Sequence, residues 1–370
     1  MRPLRIAHID TGLSLRGGQR QMLMLAKGLR QRGHDQTIAC LEGSKLEDCL
    51  RREGFRLLAL PAHDPGHAFG TLLWRQQLES SIPQILHAHD GRGQTLAFVA
   101  SMGLSVRRVA SRRVTFLPSD RWTYRLKYGY TCHAVIAVSE NIRELSVQAG
   151  VPRERITVIP DGIELPAQLP GTAERLRLRA SWRCHDEDFL VGMLGASTPE
   201  KGRDVALEAL TMLAGKLPRA RLVLAGGEGD VKSEPASPKA GAENGQMVRL
   251  APIEDLARFF PGIDLFVMPS KSEGLGSSAL WAMAFGLPVV ATRVGGLPEI
   301  VVDDETGWLI PPDSPRALAE AIVMASRDPG KRAQFGRNGR RRAEGFSADI
   351  MVGRTEDLYA RLASSGPRRL

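Results

Sequence analysis

The stretch SEGLGSSALWAMAFG at residues 272–286 places one carboxylate inside a run of glycine and serine, directly before a predicted helix. Ser277 or Ser278 is expected to cap that helix. Backbone N–H groups at a helix start attract phosphate, and small residues such as Gly276 let a phosphate approach the backbone. Because a carboxylate repels phosphate, the useful partner of Glu273 is a neutral, hydroxyl-rich group beside it. A sugar attached to a diphosphate meets both demands, and a capped core helix with a surface glutamate is the alternative.

A lysine stands at a second predicted junction between a strand and a helix. In the segment GASTPEKGRDVAL, Lys201 and Gly202 follow a strand and precede an amphipathic helix. A lysine at this place can reach phosphate as a point charge. A solvated surface lysine would give the same pattern, so the interpretation requires Lys201 to lie near Glu273.

Two histidines in ILHAHDGRG come at the end of a predicted strand. In open α/β sheets, ligand sites form at the carboxyl ends of parallel strands. His87 falls within the strand alternation and is expected to be buried. His89, which is followed by Asp90 and Gly91, is expected to face a cleft. A packed or solvated loop histidine is the alternative for each.

Two glycines, Gly17 and Gly18, open the first predicted helix after the loop DTGLSLRGGQ. That loop lacks the G-x-G-x-x-G spacing of dinucleotide-binding folds, so the sequence does not support a nicotinamide cofactor.

These side chains are positioned by a chain that alternates between predicted strands and helices. One alternation runs from Leu4 to about Ile159, and a second begins with the strand DFLVGMLG. Such a pattern predicts an α/β fold with two parallel sheets flanked by helices. The Pro- and Gly-rich segment PDGIELPAQLPGT predicts the boundary between a domain over 1–165 and a domain over 166–349. The polar segment 228–247 has no periodicity and is expected to be an exposed loop.

The composition indicates two globular domains and an anionic partner. The chain has 370 residues, and Lys and Arg outnumber Asp and Glu by 50 to 41, for a net charge of +9. This surplus favours nucleotides, phospholipid surfaces, nucleic acid or charged glycans without choosing among them. Residues 107–130 are basic with interleaved aromatic side chains, but no RNA- or DNA-binding motif accompanies them. They are interpreted as a surface for an anionic lipid-linked acceptor or as a plain solvated face.

The cysteines and the N-terminus predict a cytoplasmic protein. The four cysteines form no C-x-x-C pair and have no zinc-like spacing with histidine, which is typical of free thiols in a reducing compartment. No stretch has the length of a signal peptide or of a transmembrane helix. Peripheral contact with the inner face of a membrane stays open. His63 and His67 lie in a predicted loop without further ligands, so no metal site is expected.

Several motifs together resemble those of the retaining GT-B glycosyltransferases of family 4. In the family's order they are RGGQRQMLMLAKGL, AVSENI, VIPDGIE, PEKG and, most specific, PSKSEGLGSSALWAMAFGLPVVATRVGGLPEIV followed by TGWLIPP. The resemblance covers nearly the whole chain. It implies two Rossmann-like domains facing across a cleft, with the acceptor on the N-terminal side and a nucleotide-sugar on the C-terminal side. It also implies a final helix, at about 350–370, that packs back on the first domain, and chemistry that needs no metal or other cofactor.

The resemblance implies roles for individual residues. Glu273 matches the first acid of the family's E-x7-E motif, which contacts donor-sugar hydroxyls, and Lys201 matches the lysine that neutralises the donor diphosphate. His89 matches a cleft histidine near the reacting sugar. The other matches are Gly276, Ser277 and Ser278, whose backbone amides would hold the diphosphate, and Gly17 and Gly18, whose loop would close over donor or acceptor.

Two positions depart from the family pattern. Trp281 stands where the second acid of E-x7-E grips the ribose hydroxyls, and an indole offers one donor and no acceptor. Trp281 is therefore interpreted as packing or as part of a changed ribose site. Ala196 stands where the family has an arginine that pairs with Lys201, and losing a charged phosphate contact removes about 1.5–3 kcal/mol of binding. The candidate replacements are Arg203, Lys271 and Arg293.

These observations predict an enzyme that moves a sugar from a nucleotide-sugar to an acceptor hydroxyl with retention, in cell-envelope polysaccharide or lipopolysaccharide synthesis. Its expected partners are the donor, a glycan or lipid-linked acceptor and an anionic membrane surface, and not nucleic acid. Ala196 and Trp281 support an alternative, a family member with impaired catalysis that binds a nucleotide-sugar or a partner. A nucleotide-sugar epimerase on the same architecture is a second rival.

Overall fold

The computed structural model describes residues 2–62, 68–116, 121–226, 239–240, 246–251, 253 and 255–364. His63, His67 and most of the segment 228–247 lie outside these residues. The chain divides into two compact units, Met1–Gly162 with Ala348–Leu370 and Ile163–Ser347.

The first unit is built on a sheet of seven parallel strands in the order β3-β2-β1-β4-β5-β6-β7. Strand β1 pairs with β2 on one side and with β4 on the other. The carboxyl ends of β1 and β4 therefore lie side by side. The strands are Arg5–Asp10 (β1), Asp35–Leu41 (β2), Arg56–Leu60 (β3), Ile85–Ala88 (β4), Arg107–Arg112 (β5), Ala134–Ala137 (β6) and Ile156–Val158 (β7).

Helices connect these strands, because neighbouring parallel strands need a crossover connection. The first helix buries Met22, Leu25, Ala26 and Leu29, whose spacing of three and four residues puts them on one face. The helices are Gly17–Gln31 (α1), Lys45–Arg52 (α2), Ala68–Ser80 (α3), Gly91–Ala100 (α4), Arg121–Tyr124 (α5), which continues as a π-helical turn over Arg125–Tyr130, and Glu140–Gln148 (α6).

The second unit repeats the arrangement around a sheet of order β10-β11-β9-β8-β12-β13-β14, in which only the edge strand β10 is antiparallel to its neighbour among the described strands. β10 falls within the segment expected to be a loop, so that expectation is wrong at Lys239–Ala240. The strands are Phe189–Leu194 (β8), Ala220–Ala225 (β9), Lys239–Ala240 (β10), Met247–Leu250 (β11), Leu265–Met268 (β12), Val289–Thr292 (β13) and Gly307–Ile310 (β14).

The helices of the second unit cover a core that includes Val205, Ala209, Leu318 and Ile322. A 3₁₀ turn, Pro199–Lys201, precedes the first long helix after β8. The helices are Thr172–Ser181 (α7), Arg203–Leu213 (α8), Ser277–Ala284 (α9), Leu297–Ile300 (α10), Pro315–Arg327 (α11) and Pro329–Glu344 (α12).

The last helix, Ala348–Ser364 (α13), belongs to the first unit. Its Met351, Val352 and Tyr359 join the core of β1 and α1. A Cβ on Gly28 of α1 would lie 2.6 Å from Cγ2 of Val352, so the two helices touch at a glycine. Elsewhere, all four cysteines are free, and no helix in the described ranges has the length and apolar composition needed to cross a membrane.

Candidate active site

The structure brings Lys201 and Glu273 into contact in the second unit. The Nζ atom of Lys201 lies 2.6 Å from Oε2 of Glu273, and both side chains are mostly buried. Lys201 ends the 3₁₀ turn after β8, and Glu273 lies in the loop after β12, the neighbouring strand. Because the carboxyl ends of parallel strands meet at one edge of a sheet, residues that are 72 positions apart in the sequence become an ion pair.

Close backbone packing holds the loops that carry this pair. Gly202 has a φ of 68°, and a Cβ on it would lie 1.9 Å from the carbonyl oxygen of Pro269. Gly295 has a φ of 54°, and its Cβ would lie 1.7 Å from the carbonyl oxygen of Glu273. The N–H of Gly296 donates to that same oxygen at 3.3 Å. Both glycines therefore meet two requirements at once, a left-handed backbone and an approach that only a hydrogen at Cα permits.

The helix start next to Glu273 differs from the sequence-based expectation. Gly276, with a φ of 100°, is the N-cap of α9, and no side chain caps the helix, so the prediction that Ser277 or Ser278 caps it is wrong. Both serines lie inside the first turn and are half-buried. The backbone N–H groups of Ala279 and Leu280 both donate to the Gly276 carbonyl, whereas those of Ser277 and Ser278 come too early for an intrahelical acceptor. These two N–H groups and the helix dipole favour negative charge at the start of α9.

Three cations near this edge have different partners. Lys271 pairs with Asp204 at 2.9 Å and with Asp313 at 2.8 Å, and these two carboxylates raise the pKa of the lysine. Arg293 pairs with Asp303.

Arg203 donates to two neutral oxygens. Its Nη1 donates to Oγ of Ser197 at 2.9 Å, and its Nη2 donates to the carbonyl of Gly226 at 2.9 Å. Ser197 follows Ala196 directly, so the Arg203 guanidinium lies beside the loop from which the expected arginine is missing. Trp281, on the second turn of α9, is half-buried and outside the apolar core.

The sequence-predicted histidine of the first unit lies in a hydrogen-bonded cluster. His87 is buried as expected, and His89 is also buried, at 5% exposure. The backbone N–H of His89 donates to the carbonyl of Ile9 at 2.9 Å, which continues the pairing of β4 with β1 beyond the strand end. His87 contacts the hydroxyl of Tyr359 at 2.5 Å through Nδ1 and Oγ of Ser111 at 2.8 Å through Nε2.

The hydrogen bonds assign the protons of the other two rings. The side-chain amide of Gln36 donates to the Ala26 carbonyl at 2.9 Å, so its oxygen faces Nε2 of His8 at 3.2 Å. Nε2 of His8 therefore carries the proton, and Nδ1 of the neutral ring accepts from Nε2–H of His89 at 3.0 Å. The lone pair of His89 then resides on Nδ1, a buried atom without a hydrogen-bond partner in the described part of the chain.

Burial keeps this cluster uncharged. It lowers the pKa of His8 to about 4 and holds the pKa values of His87 and His89 well below that of a free imidazole. Ring nitrogens of the three histidines lie within 4.8 Å of one another, which is compatible with metal ligation. However, both nitrogens of His8 and of His87 already have hydrogen-bond partners, so this arrangement is that of a polar core.

Asp10, which sequence reasoning missed, ends β1 beside His89. Its Oδ1 accepts hydrogen bonds from the N–H of Gly12 at 2.8 Å and from the amide of Gln19 at 2.9 Å. Its Oδ2 is buried and has no partner among the described residues. Burial, with a smaller effect of Asp90, raises the pKa of Asp10. The signal that could have found it is the one that pointed to His89, a polar residue at the end of a parallel strand.

Gly17 and Gly18 lie at the same edge of the first sheet. A Cβ on Gly18 would lie 3.9 Å from Cδ of Arg113. Arg113 pairs with Asp161 at 2.9 Å and donates to the carbonyl of His89 at 3.4 Å. The glycine loop, Arg113 and His89 therefore border one polar region of the first unit.

The two units, each built on a mostly parallel sheet flanked by helices, have the fold of the GT-B glycosyltransferases. Residues 174–342 match the family described as glycosyl transferases group 1, and residues 15–166 match glycosyltransferase family 4. The chain belongs to this family of glycosyltransferases.

Curated relatives are consistent with that membership. The chain is 27% identical to a GDP-mannose-dependent alpha-(1-6)-phosphatidylinositol monomannoside mannosyltransferase of Mycolicibacterium smegmatis, over 88% of this chain and 90% of the relative. It is 32% identical to a D-inositol 3-phosphate glycosyltransferase of Streptomyces avermitilis over 63% of this chain, and that match spans about half of the relative, 52%.

Solved structures share the fold. The Anabaena protein Alr3699/HepE in complex with UDP-glucose superposes with a TM-score of 0.84 over 97% of this chain and all of that chain, at 20% identity. WaaG, a glycosyltransferase involved in lipopolysaccharide biosynthesis, superposes with a TM-score of 0.72 over 96% of this chain and 99% of that chain, at 18% identity.

Proposed function

We propose that this chain transfers a glycosyl group from a nucleotide-sugar to an acceptor hydroxyl with retention at the anomeric carbon. The observation that carries the proposal is the contact of Lys201 with Glu273, which lies in the loop that leads to the uncapped start of α9. The ammonium and the free N–H groups suit a diphosphate, and the carboxylate suits the hydroxyls of the attached sugar. The mannosyltransferase relative named for GDP-mannose and the similar fold with bound UDP-glucose support a donor of this class.

In the proposed reaction, the bond between the anomeric carbon and the diphosphate oxygen breaks, and the acceptor oxygen bonds to the same face of the sugar. The N–H groups of Ser277 and Ser278 and the ammonium of Lys201 stabilise the charge that grows on the leaving diphosphate. The leaving phosphate oxygen takes the acceptor proton, so no protein base is assigned. Glu273 accepts hydrogen bonds from the donor sugar, and the chemistry requires no metal.

The first unit contributes His89 and the Gly17–Gly18 loop to this proposal. Nδ1 of His89 is suited to accept a hydrogen bond from a sugar hydroxyl, because the ring is neutral and Nε2 already donates to His8. The glycine loop, which has no side chains to exclude a ligand, is proposed to lie against donor or acceptor.

Arg203 is proposed to supply the second cation of the diphosphate site. Its guanidinium donates to Oγ of Ser197, the residue after Ala196, and to the carbonyl of Gly226, so it lies beside the position from which the expected arginine is missing. A guanidinium is always charged, and its N–H groups match the geometry of a phosphate.

The acceptor is proposed to be a glycan or a lipid-linked molecule of cell-envelope polysaccharide or lipopolysaccharide synthesis. The excess of 50 Lys and Arg over 41 Asp and Glu favours an anionic acceptor or surface. One relative is named for transfer to a phosphatidylinositol mannoside, and one similar fold is described as acting in lipopolysaccharide biosynthesis.

Trp281 and Ala196 favour a second candidate function, a nucleotide-sugar-binding module that has lost turnover. With an indole in place of the ribose-gripping acid, the donor would be held by its diphosphate and sugar alone. Such a module would bind the donor without releasing nucleotide from it, and an epimerase would change the donor sugar without any acceptor.

The deciding experiment combines melting temperature and slow hydrolysis for a panel of UDP-, GDP- and ADP-sugars. If the chain is an enzyme, nucleotide-sugars of one base should raise its melting temperature and should be hydrolysed slowly to release the nucleotide. K201A and E273A should abolish this release. The matched controls are K27A and E53A, which remove a 2.9 Å lysine–glutamate pair from the first unit and should leave hydrolysis unchanged. A raised melting temperature with no nucleotide release, with or without any acceptor tried, would identify the binding module instead.

A further inference from the structure

Three half-buried arginines of α12 donate hydrogen bonds to the last carbonyls of three other helices of the second unit. Arg332 reaches the end of α11, Arg340 the end of α9 and Arg342 the end of α10. Their neighbours Arg337 and Arg341 are exposed. The last carbonyls of a helix have no intrahelical partner and carry the negative end of its dipole, so a cation is favourable at each of these places.

The bond from Arg340 completes the carboxyl end of α9. Backbone N–H groups of the three residues after the helix donate to the carbonyls of residues 281–283 at 2.9 to 3.1 Å. The last carbonyl, that of Ala284, accepts from Nη1 of Arg340 at 2.7 Å. Nη2 of the same guanidinium donates to the carbonyl of Pro166 at 3.0 Å. Every carbonyl that the helix leaves open therefore has a donor, and one of these donors is a side chain of α12.

α12 also approaches the end of α9 closely, at two of its glycines. A Cβ on Gly336 would lie 2.0 Å from the carbonyl oxygen of Gly286, an approach that only glycine permits. A Cβ on Gly339 would lie 3.3 Å from Cγ of Met283. Because α9 has only eight residues, about 12 Å of helix, holding its carboxyl end also limits the movement of its start.

Arg342 acts on the start of α9 through α10. Its Nε donates to the carbonyl of Ile300 and its Nη2 to that of Glu299, both at 2.7 Å. A Cβ on Gly276, the N-cap of α9, would lie 2.4 Å from Cδ2 of Leu297 and 3.3 Å from Cδ1 of Ile300. Arg342 thus holds the short helix against which the start of α9 packs.

The start of α9 depends on this packing for its position. Among the described residues, no side chain caps the helix, and its first turn contains no acid. The N–H groups of Ser277 and Ser278 are therefore placed by Gly276, by α10 and by the far end of the helix. Groups that bind a ligand productively must be held to within about 0.5 Å of their place, so the elements that hold α9 bear on its chemistry.

We propose that Arg340 and Arg342 are positioning residues of the donor site, which hold the ends of α9 and α10 and so keep the N–H groups of Ser277 and Ser278 at the diphosphate. The inference rests on the proposed function, because that function assigns the diphosphate to the start of α9. Arg332 makes the same kind of bond from the same helix, but α11 carries none of the residues assigned to the site. It therefore separates an effect on the site from an effect on stability alone.

The test compares R340Q and R342Q with R332Q in the full chain. Each variant loses a bond between an arginine and a helix end, so each should unfold at a lower urea concentration than the unaltered chain. Calorimetry with UDP, GDP and ADP, well below the melting temperatures, should show binding weakened about fivefold or more in R340Q and R342Q, because hydrogen bonds to a charged diphosphate are displaced. Binding to R332Q should be unchanged. R340K keeps a charged donor for the Ala284 carbonyl and should recover part of the affinity.

Hydrolysis of the matching nucleotide-sugar gives a second measurement. Its rate should fall about tenfold or more in R340Q and R342Q and stay unchanged in R332Q, since a displacement of about 1 Å can cost about a hundredfold in rate. If R340Q does not fold, R342Q carries the same comparison.

Equal affinity in R340Q, R342Q and the unaltered chain would overturn the inference. Equal weakening in all three variants would also overturn it, because the arginines would then support only the fold. In both cases the unaltered chain binds a nucleoside diphosphate, so the proposed function is untouched. An unaltered chain that binds none of the three nucleotides contradicts the proposed function, and this inference with it.

Discussion

The ammonium of Lys201 and the carboxylate of Glu273 neutralise each other across 2.6 Å. A diphosphate that enters this site must compete with Glu273 for the lysine. The carboxylate would then need new donors, which the hydroxyls of a sugar on the same diphosphate would provide. The pair therefore couples recognition of the two halves of a nucleotide-sugar.

The first prediction is that the two residues of this pair act in opposite directions on a free nucleoside diphosphate. K201A should weaken its binding about tenfold to a hundredfold, because a charged hydrogen bond is lost. E273Q should leave the affinity unchanged or raise it, because a competitor for Lys201 is removed while the shape of the side chain is kept. Titration calorimetry of each variant with UDP, GDP and ADP measures both effects. Equal weakening in both variants would show that the ion pair supports only the fold of the loops.

The second prediction concerns Trp281, which is half-buried where the family pattern has an acid. The unaltered chain should bind a ribonucleotide and its 2′-deoxy analogue about equally, because an indole accepts no hydrogen bond. W281E should prefer the ribonucleotide by about tenfold, since a carboxylate accepts from both ribose hydroxyls. The matched control is W281F, which should show no preference. A strong ribose preference in the unaltered chain would mean that another residue already grips the ribose.

The residues of the second unit that were predicted correctly are marked by the sequence immediately around them. Lys201, Gly202 and Glu273 each lie in a loop that follows an apolar strand, and the rule that strand ends meet at one edge places all three at the same edge of the sheet. The N-cap of α9 was predicted wrongly because its cause lies elsewhere in the chain. A Cβ on Gly276 would lie 2.4 Å from Cδ2 of Leu297, so packing against α10 sets the left-handed backbone there.

The histidine cluster could not be predicted, because it depends on which strands are neighbours. His8 and His87 are directly opposite each other only because β1 pairs with β4 in this register. The partners that complete the network, Gln36 and Tyr359, come from β2 and from the last helix. Similarly, the edge strand β10 carries no alternation of its own and forms by pairing with β11.

The third prediction tests how the Glu273 loop is held. G295A should lower the free energy of unfolding by about 1–3 kcal/mol, because alanine disfavours a left-handed backbone. It should also weaken nucleotide-sugar binding, because the new methyl group would meet the Glu273 carbonyl at 1.7 Å. Urea denaturation and melting shifts with donor measure the two effects. The control is G215A, at a glycine with open space around it, which should lose neither stability nor nucleotide-sugar binding. If G295A has the same free energy of unfolding as G215A, the Glu273 loop accommodates the added methyl group.

The fourth prediction is that acid weakens the first unit below about pH 6.5, through the buried histidines. The pKa of His8 falls from 6.5 in the unfolded chain to about 4 in the folded one, so the unfolded state binds more protons between these values. Stability is then fully present above pH 6.5 and decreases by about 1.4 kcal/mol per pH unit for each such histidine as the pH falls. Asp10 opposes this trend, because its raised pKa makes the folded state bind more protons than the unfolded state.

Hydrogen exchange of peptides from β1 and β4, followed from about pH 7 to about pH 5, isolates the response of the first unit. H8Q should reduce the dependence of the opening free energy on pH by about one proton, because one buried imidazole no longer gains a proton on unfolding. H185Q replaces an exposed histidine and should leave the dependence unchanged. A pH dependence that is the same in H8Q, H185Q and the unaltered chain would mean that His8 is protonated in the folded state, which contradicts the neutral ring whose Nδ1 accepts from His89.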